Sequence, residues 1–404
     1  MVVASDSPRL FVVGGGPFQL DIVRTAKALG LFVVVADRNP DAPGLKLADR
    51  ALTLDIVDLE QMVQAAHAHD VHGVVTAASD AALPAVAAIA EARGLPGLSP
   101  AVVQRCRDKL ETFRRVHDAG LPVPRTERVA SELAAAAAAS VVGGYPVVVK
   151  PRAAAGGRGV SVVRDRFGLS RAFARAAGYG NEVLVQRFVA GHAVGVEAFF
   201  REGEPIAAFV MDDQFVPGFV SPIGHALPSS LPASLQDQIT EQVTAFASAL
   251  GLQDGPANFD LRVERGEVVL LEVNARLGGN AITDLVRSTY GVDLSKAAVR
   301  GALGQDPLPA LGVSAVAPTA SRLVVSRKRG VASVSADLSA LADAADVVSL
   351  ELTVEDGAPL GVIVDDHAIL GRCVVRGESP LHAVSRAVEV ARAIDGGIRV
   401  SSAQ

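Results

Sequence analysis

Residues 271–279 read LEVNARLGG, and the four residues from Val268 to Leu271 run into them as a buried strand does. The apolar run then gives way to Glu272, Asn274 and Arg276, two apart, followed by Gly278 and Gly279. Alternate residues of a strand share one face. One face therefore presents a carboxylate, an amide oxygen and a guanidinium at the end of a hydrophobic strand. A solvated strand face or a structural ion network accounts for one or two such residues. It accounts less well for three that close a buried strand and lead into a glycine turn.

The oxygen pair suits a hard divalent cation. Magnesium takes oxygen donors, often one or two carboxylates together with substrate phosphate oxygens. The stretch NFDLRV (258–263) reads as a neighbouring antiparallel strand, and its Asp260 is the candidate third donor. Arg276 then stands beside the metal, placed to stabilise charge on a transferring phosphoryl group.

A polyphosphate also needs cations from the protein. Lys150 ends the apolar strand VVVK and is held by Pro151, and GGRG follows with Gly156, Gly157 and Gly159. Glycines let backbone N–H groups approach phosphate oxygens closely. Lys109, on a helix read over 101–120, supplies a second ammonium.

Upstream, RLFVVGGG, LFVVVADRN and VHGVVTAASD alternate with helical patterns, which predicts a parallel βαβαβ unit. The loop Gly14-Gly15-Gly16-Pro17 imitates a dinucleotide fingerprint, but Gln19 stands where the third glycine belongs, so a tight strand-to-helix turn is the better reading. A middle reading lets its backbone N–H groups face an anionic substrate. His67, His69 and His72 lack the i, i+4 spacing of a helical metal site and read as a solvated helix end. The alanine run 134–139 is a packed helix by propensity. YPVVVKP, VSVVRD and NEVLVQRFV, with the helix GLSRAFARAAG, form a compact α+β unit. AVGVEAFF, PIAAFVMDD, NFDLRVE and GEVVLLEVNAR follow as antiparallel strands, and a β-rich terminal region begins near residue 310.

The 404 residues allow two or more domains, and the net charge of −6 gives no reason to expect nucleic acid or an anionic membrane as partner. No uncharged apolar run approaches the ~20 residues needed to span a bilayer, and no signal peptide is read at the N-terminus, so a cytoplasmic location is expected. Cys106 and Cys373 read as buried hydrophobes.

Taken in order, these motifs resemble the ATP-grasp ligases over about residues 10–305, with a weaker echo after 310. The stretch GFVSPIGHALPSS (218–230) resembles amino-acid ligases of the bacilysin-synthesis type, and purine-pathway members share other features. The resemblance implies a parallel α/β N-terminal domain (1–117), a small α+β lid (118–190), an antiparallel catalytic domain (191–308) and a β-rich α/β C-terminal domain (309–404). It implies ATP, with Mg²⁺ or alternatively Mn²⁺, and small carboxylate and amine substrates that are amino-acid-like. A homodimer is the expectation by base rate.

By position, the resemblance makes Lys109 and Lys150 phosphate ligands and Gly156, Gly157 and Gly159 the closing phosphate loop. Gln186 reaches the adenine amino group, while Phe188 and Val189 border the ring. Asp260, Glu272 and Asn274 become the metal ligands. Arg276 lies beside an acyl phosphate and His225 beside the reactive carboxylate, although a lone His225 also reads as a loop histidine. One departure stands out: Ala193 occupies the usual place of the acidic ribose ligand, so either Glu197 or another group takes that part, or the ribose is held less directly. Ser79 and Asp80 end a strand where an amino group could meet them, and Arg262 hints at carboxylate recognition. The implied reaction is ADP-forming amide or peptide ligation through an acyl phosphate. A bicarbonate-using carboxylase of the biotin carboxylase and purine synthetase branch, and a nucleotide-binding regulator without catalysis, are the competing readings.

Overall fold

The computed structural model describes residues 7–154, 156–180, 182–216, 219–314, 316–325, 330–334, 338–360 and 369–401. It opens with β1 (Arg9–Val13), α1 (Leu20–Ala28), β2 (Phe32–Asp37), α2 (Pro43–Leu47), β3 (Arg50–Thr53), α3 (Leu59–Ala68), β4 (Gly73–Val75) and α4 (Leu83–Arg93). The strands form a parallel sheet in the order β3-β2-β1-β4. Both faces of β2, β1 and β4 are covered, so these strands are nearly all apolar, whereas the edge strand β3 is largely exposed. The glycine loop after β1 is a tight turn: Gly14 N–H donates to Ala36 O and Gly15 N–H to the Asp37 carboxylate at 2.8 Å. Those two donors are thereby taken, and no anion is needed to satisfy them.

Helices α5 (Pro100–Arg107) and α6 (Lys109–Asp118) lead into a four-stranded antiparallel sheet. It comprises β5 (Thr126–Val129), α7 (Glu132–Val141), β6 (Val147–Pro151), β7 (Ser161–Val163), α8 (Leu169–Ala177) and β8 (Val183–Arg187), ordered β5-β8-β6-β7. The alanine run is α7, capped by the Ser131 hydroxyl. Its Ala135, Ala138 and Ala139 are buried against α8 and the sheet, where their small size allows close approach.

The remaining strands are β9 (His192–Arg201), β10 (Glu204–Gln214), β11 (Gly224–Leu227), β12 (Gly255–Glu264), β13 (Glu267–Asn274), β14 (Thr319–Val325), β15 (Gly330–Val334), β16 (Val347–Leu352), β17 (Pro359–Leu360), β18 (Ile369–Arg376) and β19 (Ile398–Ser401). Among them lie α9 (Ala233–Leu250), α10 (Ile282–Tyr290), α11 (Leu294–Ala302), α12 (Ser339–Ala342) and α13 (Pro380–Gly397). Eight strands make one sheet, β13-β12-β9-β10-β11-β14-β18-β16. The expected division at residues 308 and 309 therefore does not break the sheet. Strands β14, β18 and β16 extend it through the β11–β14 ladder, and only β17-β15-β19 forms a separate small sheet. The first part of the expected strand GVIVDDHAILGRCVVRG lies outside the described residues.

One face of the long sheet is closed by α9 through Ile239, Val243, Phe246 and Leu250 against Phe200 and Phe259. On the other, Phe199, Phe209, Met211 and Leu277 share a core with Leu10, Val12 and Val33 of the parallel sheet. The two sheets are thus welded by apolar contact. Gly73 of β4 sits at this seam, where a Cβ would fall 2.6 Å from the Ala302 carbonyl oxygen at the end of α11. Backbone cannot retreat as a side-chain tip can. Gly73→Ala should therefore lower stability by about 1–3 kcal/mol, the usual cost of overpacking, measured as a lower denaturation midpoint at unchanged slope.

Candidate active site

Where the parallel sheet, the lid sheet and the long sheet meet lies a cavity of about 1000 Å³. Lys109, Lys150, Gly156, Gly157, Gln186, Phe188, Val189, His225, Asp260, Glu272, Asn274 and Arg276 all line it.

Its floor is the β12–β13 ladder. Asn258 pairs with Asn274 and Asp260 with Glu272, so the two carboxylates stand opposite each other. The register then shifts between Asp260 and Leu261, leaving Leu271 as the extra residue of a bulge. The bulge breaks strict alternation, and both Leu271 and Glu272 line the cavity. The expectation that Arg276 shares the strand face needs correcting as well. The strand β13 ends at Asn274, and Arg276 turns back with its N–H bonded to Asn274 O at 2.8 Å.

That turn crosses to the N-terminal sheet. Leu277 forms a parallel bridge with Ala77, and its carbonyl accepts from Ala78 N–H at 3.0 Å. Arg276 donates from Nε and Nη2 to both oxygens of Asp80, at 3.1 and 3.0 Å, with both side chains largely buried. Such a bidentate fork fixes a guanidinium plane. Asp80 was read as a place for an amino group; here it orients Arg276.

Glu197 is not among the lining residues. It is fully buried, accepting from Gly278 N–H at 3.1 Å and from Asn258 Nδ2 at 3.0 Å, and burial pushes its carboxyl up to about 8. It supports the glycine turn from beneath: a Cβ on Gly278 would fall 2.7 Å from Glu197 Oε2. The register sets Glu197 opposite Asn258, on the face that also carries Asp260, but the Gly278 turn covers it there, which removes it from the ribose role. At that end the lining residues are Ala193, Phe215 and Arg262.

Beside the carboxylates stand the lysines. Asp108 caps α6 and also binds Arg152, just past Lys150, so one carboxylate ties the Lys109 helix to the lid. Lys109 Nζ donates to Ala154 O at 2.7 Å and lies 3.4 Å from Glu272 Oε1. Lys150 Nζ lies 4.9 Å from the centre of the Phe113 ring. Burial, and then the Lys109 charge, press the Lys150 ammonium down to about 7. Asp260 shifts the other way: burial, then Asp213 and Glu272, raise its pKa.

Gly157 and Gly159 both have left-handed φ, +67° and +76°. A Cβ on Gly157 would fall 2.4 Å from Ser221 Oγ, so the loop lies against the segment opposite it. Gly159 is not a lining residue; it turns the loop against Tyr179 and Pro151. Gln186 donates its amide N–H to Thr126 Oγ1 at 2.8 Å, which leaves its oxygen as an acceptor. Val148, Phe188, Val189, Leu261 and Leu271 make that end of the cavity apolar.

Among the described residues no three His, Cys, Asp or Glu side chains converge as a self-sufficient metal site. The donor set is two carboxylates and an amide oxygen, which suits Mg²⁺ completed by phosphate and water. The raised pKa of Asp260 fits the same reading, because a divalent cation relieves the charge crowding that now favours a proton.

The parallel domain, the small lid and the long antiparallel sheet closing one interdomain cleft define the ATP-grasp fold. The chain is an ATP-grasp protein: the ATP-grasp domain matches residues 143–284 and the ATP-grasp N-terminal domain residues 23–97. In structure it is similar to the L-amino acid ligase from Bacillus licheniformis (TM-score 0.81, 21% identity, covering 99% of this chain and 100% of that one). It is also similar to phosphoribosylglycinamide synthetase from Anaerococcus prevotii (TM-score 0.77, 21% identity, 98% and 100%). In sequence it is 30% identical over 231 residues to formate-dependent phosphoribosylglycinamide formyltransferase of Burkholderia pseudomallei, covering 55% of each chain. An uncharacterised protein of Sinorhizobium fredii is 27% identical over 310 residues, 70% of this chain and 61% of that one. The matches thus span 55% to 61% of these curated relatives.

Lys150 yields a prediction. A polyphosphate beside it favours the ammonium and raises its pKa from about 7. Binding of ATP without a divalent cation, which would displace a proton from Asp260, should therefore take up close to one proton at pH 8. ATP affinity should be greatest below pH 7 and fall by up to about tenfold per pH unit above it. Titration calorimetry in buffers of different ionisation enthalpy measures the uptake, and Lys150→Met should abolish it.

Proposed function

We propose that the protein is an ATP-dependent carboxylate–amine ligase that forms an amide or peptide bond through an acyl phosphate and releases ADP and phosphate. The observation that carries this reading is the convergence on one cavity of Asp260, Glu272 and Asn274 with Lys109 and Lys150, Lys109 already reaching Glu272, and of Arg276 held by Asp80. The names of the similar proteins, amino-acid ligase and phosphoribosylglycinamide synthetase among them, support the same chemistry.

In this reading adenine occupies the apolar end, its amino group donating to the Gln186 oxygen beside Phe188 and Val189. Lys109, Lys150 and the N–H groups of Gly156 and Gly157 hold the phosphates, and Gly159 gives the loop its turn. Asp260, Glu272 and Asn274 would hold Mg²⁺, which neutralises charge on the phosphates when bound. A carboxylate attacks the γ-phosphorus in line; its C–O–P bond forms as the bond to ADP breaks. Arg276 keeps free N–H groups on Nη1 and Nη2 beyond its bonds to Asp80 and Leu277 O, and these face the acyl oxygen. The loop lying on Ser221 excludes water, which would hydrolyse the acyl phosphate.

The far end of the cavity suits an amino-acid-like amine. The loops that follow β1 and β4 contribute Phe18, Ala78, Ser79, Asp80 and Ala81 to the lining, and none of these is a cation. A phosphate ester would need cations on that wall.

ADP and phosphate release should require MgATP together with an acid and an amine, assayed with the twenty L-amino acids in pairs and products identified by mass. Arg276→Ala should lower turnover by at least about 100-fold, on the scale of losing an oxyanion donor. Turnover with bicarbonate in place of the acid would point instead to carboxylation. Unchanged turnover in Arg276→Ala would remove Arg276 from the reaction.

A further inference from the structure

His225 sits at the end of β11 with 4% of its surface exposed, among the cavity-lining residues. Its Nδ1 lies 2.7 Å from Asp213 Oδ1, on the paired strand β10, and Asp213 is equally buried. The pair is built into the sheet: His225 and Asp213 are direct register partners, and His225 N–H donates to Ser321 Oγ at 3.3 Å. On the other side of Asp213 lies Gly195 of β9, where a Cβ would fall 2.9 Å from Asp213 Oδ1. The glycine leaves room for the carboxylate to lie beside the ring. The second ring nitrogen, Nε2, is buried and among the described residues has no hydrogen-bond partner. An unpaired buried imidazole nitrogen is costly unless something fills the need.

We propose that Asp213 is a positioning residue for acyl transfer: it holds His225 in the Nδ1–H tautomer, leaving the lone pair of the unpartnered Nε2 as the proton acceptor for the attacking amine. This rests on the ligase reading above. A carboxylate accepts only, so the proton between the two groups belongs to Nδ1, and Nε2 keeps its lone pair. In the step itself the amine nitrogen attacks the acyl carbon and the C–N bond forms. The bond from that carbon to the phosphoryl oxygen breaks, and its electron pair leaves with inorganic phosphate. One proton of the attacking nitrogen passes to Nε2, and the Asp213 carboxylate stabilises the imidazolium that results. Nε2 as an acceptor does not donate to the oxyanion, and that task is left to Arg276.

Asp213→Asn decides the matter, because an amide donating to Nδ1 puts the proton on Nε2 instead. Two measurements on the full chain apply. In ¹⁵N-histidine-labelled protein without substrates, long-range ¹H–¹⁵N spectra should show His225 protonated on Nδ1 in the wild type and on Nε2 in Asp213→Asn. An Nε2–H wild type would overturn the proposal. With MgATP and the L-amino acid panel, acyl phosphate is trapped by hydroxylamine, which attacks it without a protein base, and amide is counted by mass. Asp213→Asn should keep hydroxamate formation within about threefold and lose amide formation by at least about 100-fold. Equal loss of both, or of neither, would sink the idea. Should Asp213→Asn not fold, the wild-type tautomer spectrum decides alone, Nδ1–H supporting the proposal and Nε2–H overturning it. A wild type that forms neither product refutes ligation itself, and the tautomer spectra then test the Asp213–His225 geometry separately.

Discussion

The site is organised by charges that cannot all be ionised comfortably at once. Asp260 and Glu272 face each other across a ladder at the floor of a cavity, with Asp213 close enough to add to the crowding. Lys150 is buried beside Lys109. Burial penalises every charged form, and each like-charge neighbour deepens the penalty. The result is an acid pushed toward its neutral form and an ammonium pushed toward its free amine. A nucleotide polyphosphate with a divalent cation supplies what is missing on both sides: anion for the lysines, cation for the acids. In the proposed reading that ligand would relieve a charge crowding that the Lys109–Glu272 pair offsets only in part.

Arg276 is exempt from that strain because it brings its own partner from another sheet. The Asp80 fork fixes the guanidinium plane, and the Ala77–Leu277 bridge fixes the backbone behind it. The reacting centre therefore depends on the seam between the parallel domain and the long sheet. A displacement at that seam moves Arg276 relative to Glu272, although neither belongs to the interface core. The shared apolar cluster that runs from Leu10 and Val12 to Phe199 and Leu277 makes such a displacement costly.

The strongest signals in the sequence were those in which local chemistry and element type coincide. An apolar strand that ends in Glu272 and Asn274, and another that ends in Lys150 before a glycine loop, are legible because a buried strand has no other reason to finish that way. What escaped depends on partners distant in the chain. The bulge at Leu271 shows only in the register with β12. The exit of Arg276 from the strand follows from Asp80, nearly two hundred residues earlier. Glu197 looked available for a ribose, because nothing in VGVEAF says that its face is closed by Gly278 and Asn258. Asp213 sits in MDDQ beside an equally acidic neighbour, and only the register with His225 separates their tasks: Asp212 binds Ser229 and Ser230 instead. The join of β11 to β14 was equally hidden, since sequence patterns show that strands exist but not which edge they meet.

Glycine placement links these layers. Gly195 makes room for Asp213, Gly278 for Glu197, and Gly157 lets the lid loop reach Ser221. In each case the missing Cβ admits a polar group of another element to within contact of the backbone. Buried polar groups are tolerable only when their partners are fixed. The glycines therefore do more than permit turns: they let three carboxylate or hydroxyl groups be placed by backbone rather than by flexible side chains. A site that must hold two reacting molecules in line gains most from that rigidity, because small errors of placement cost rate steeply.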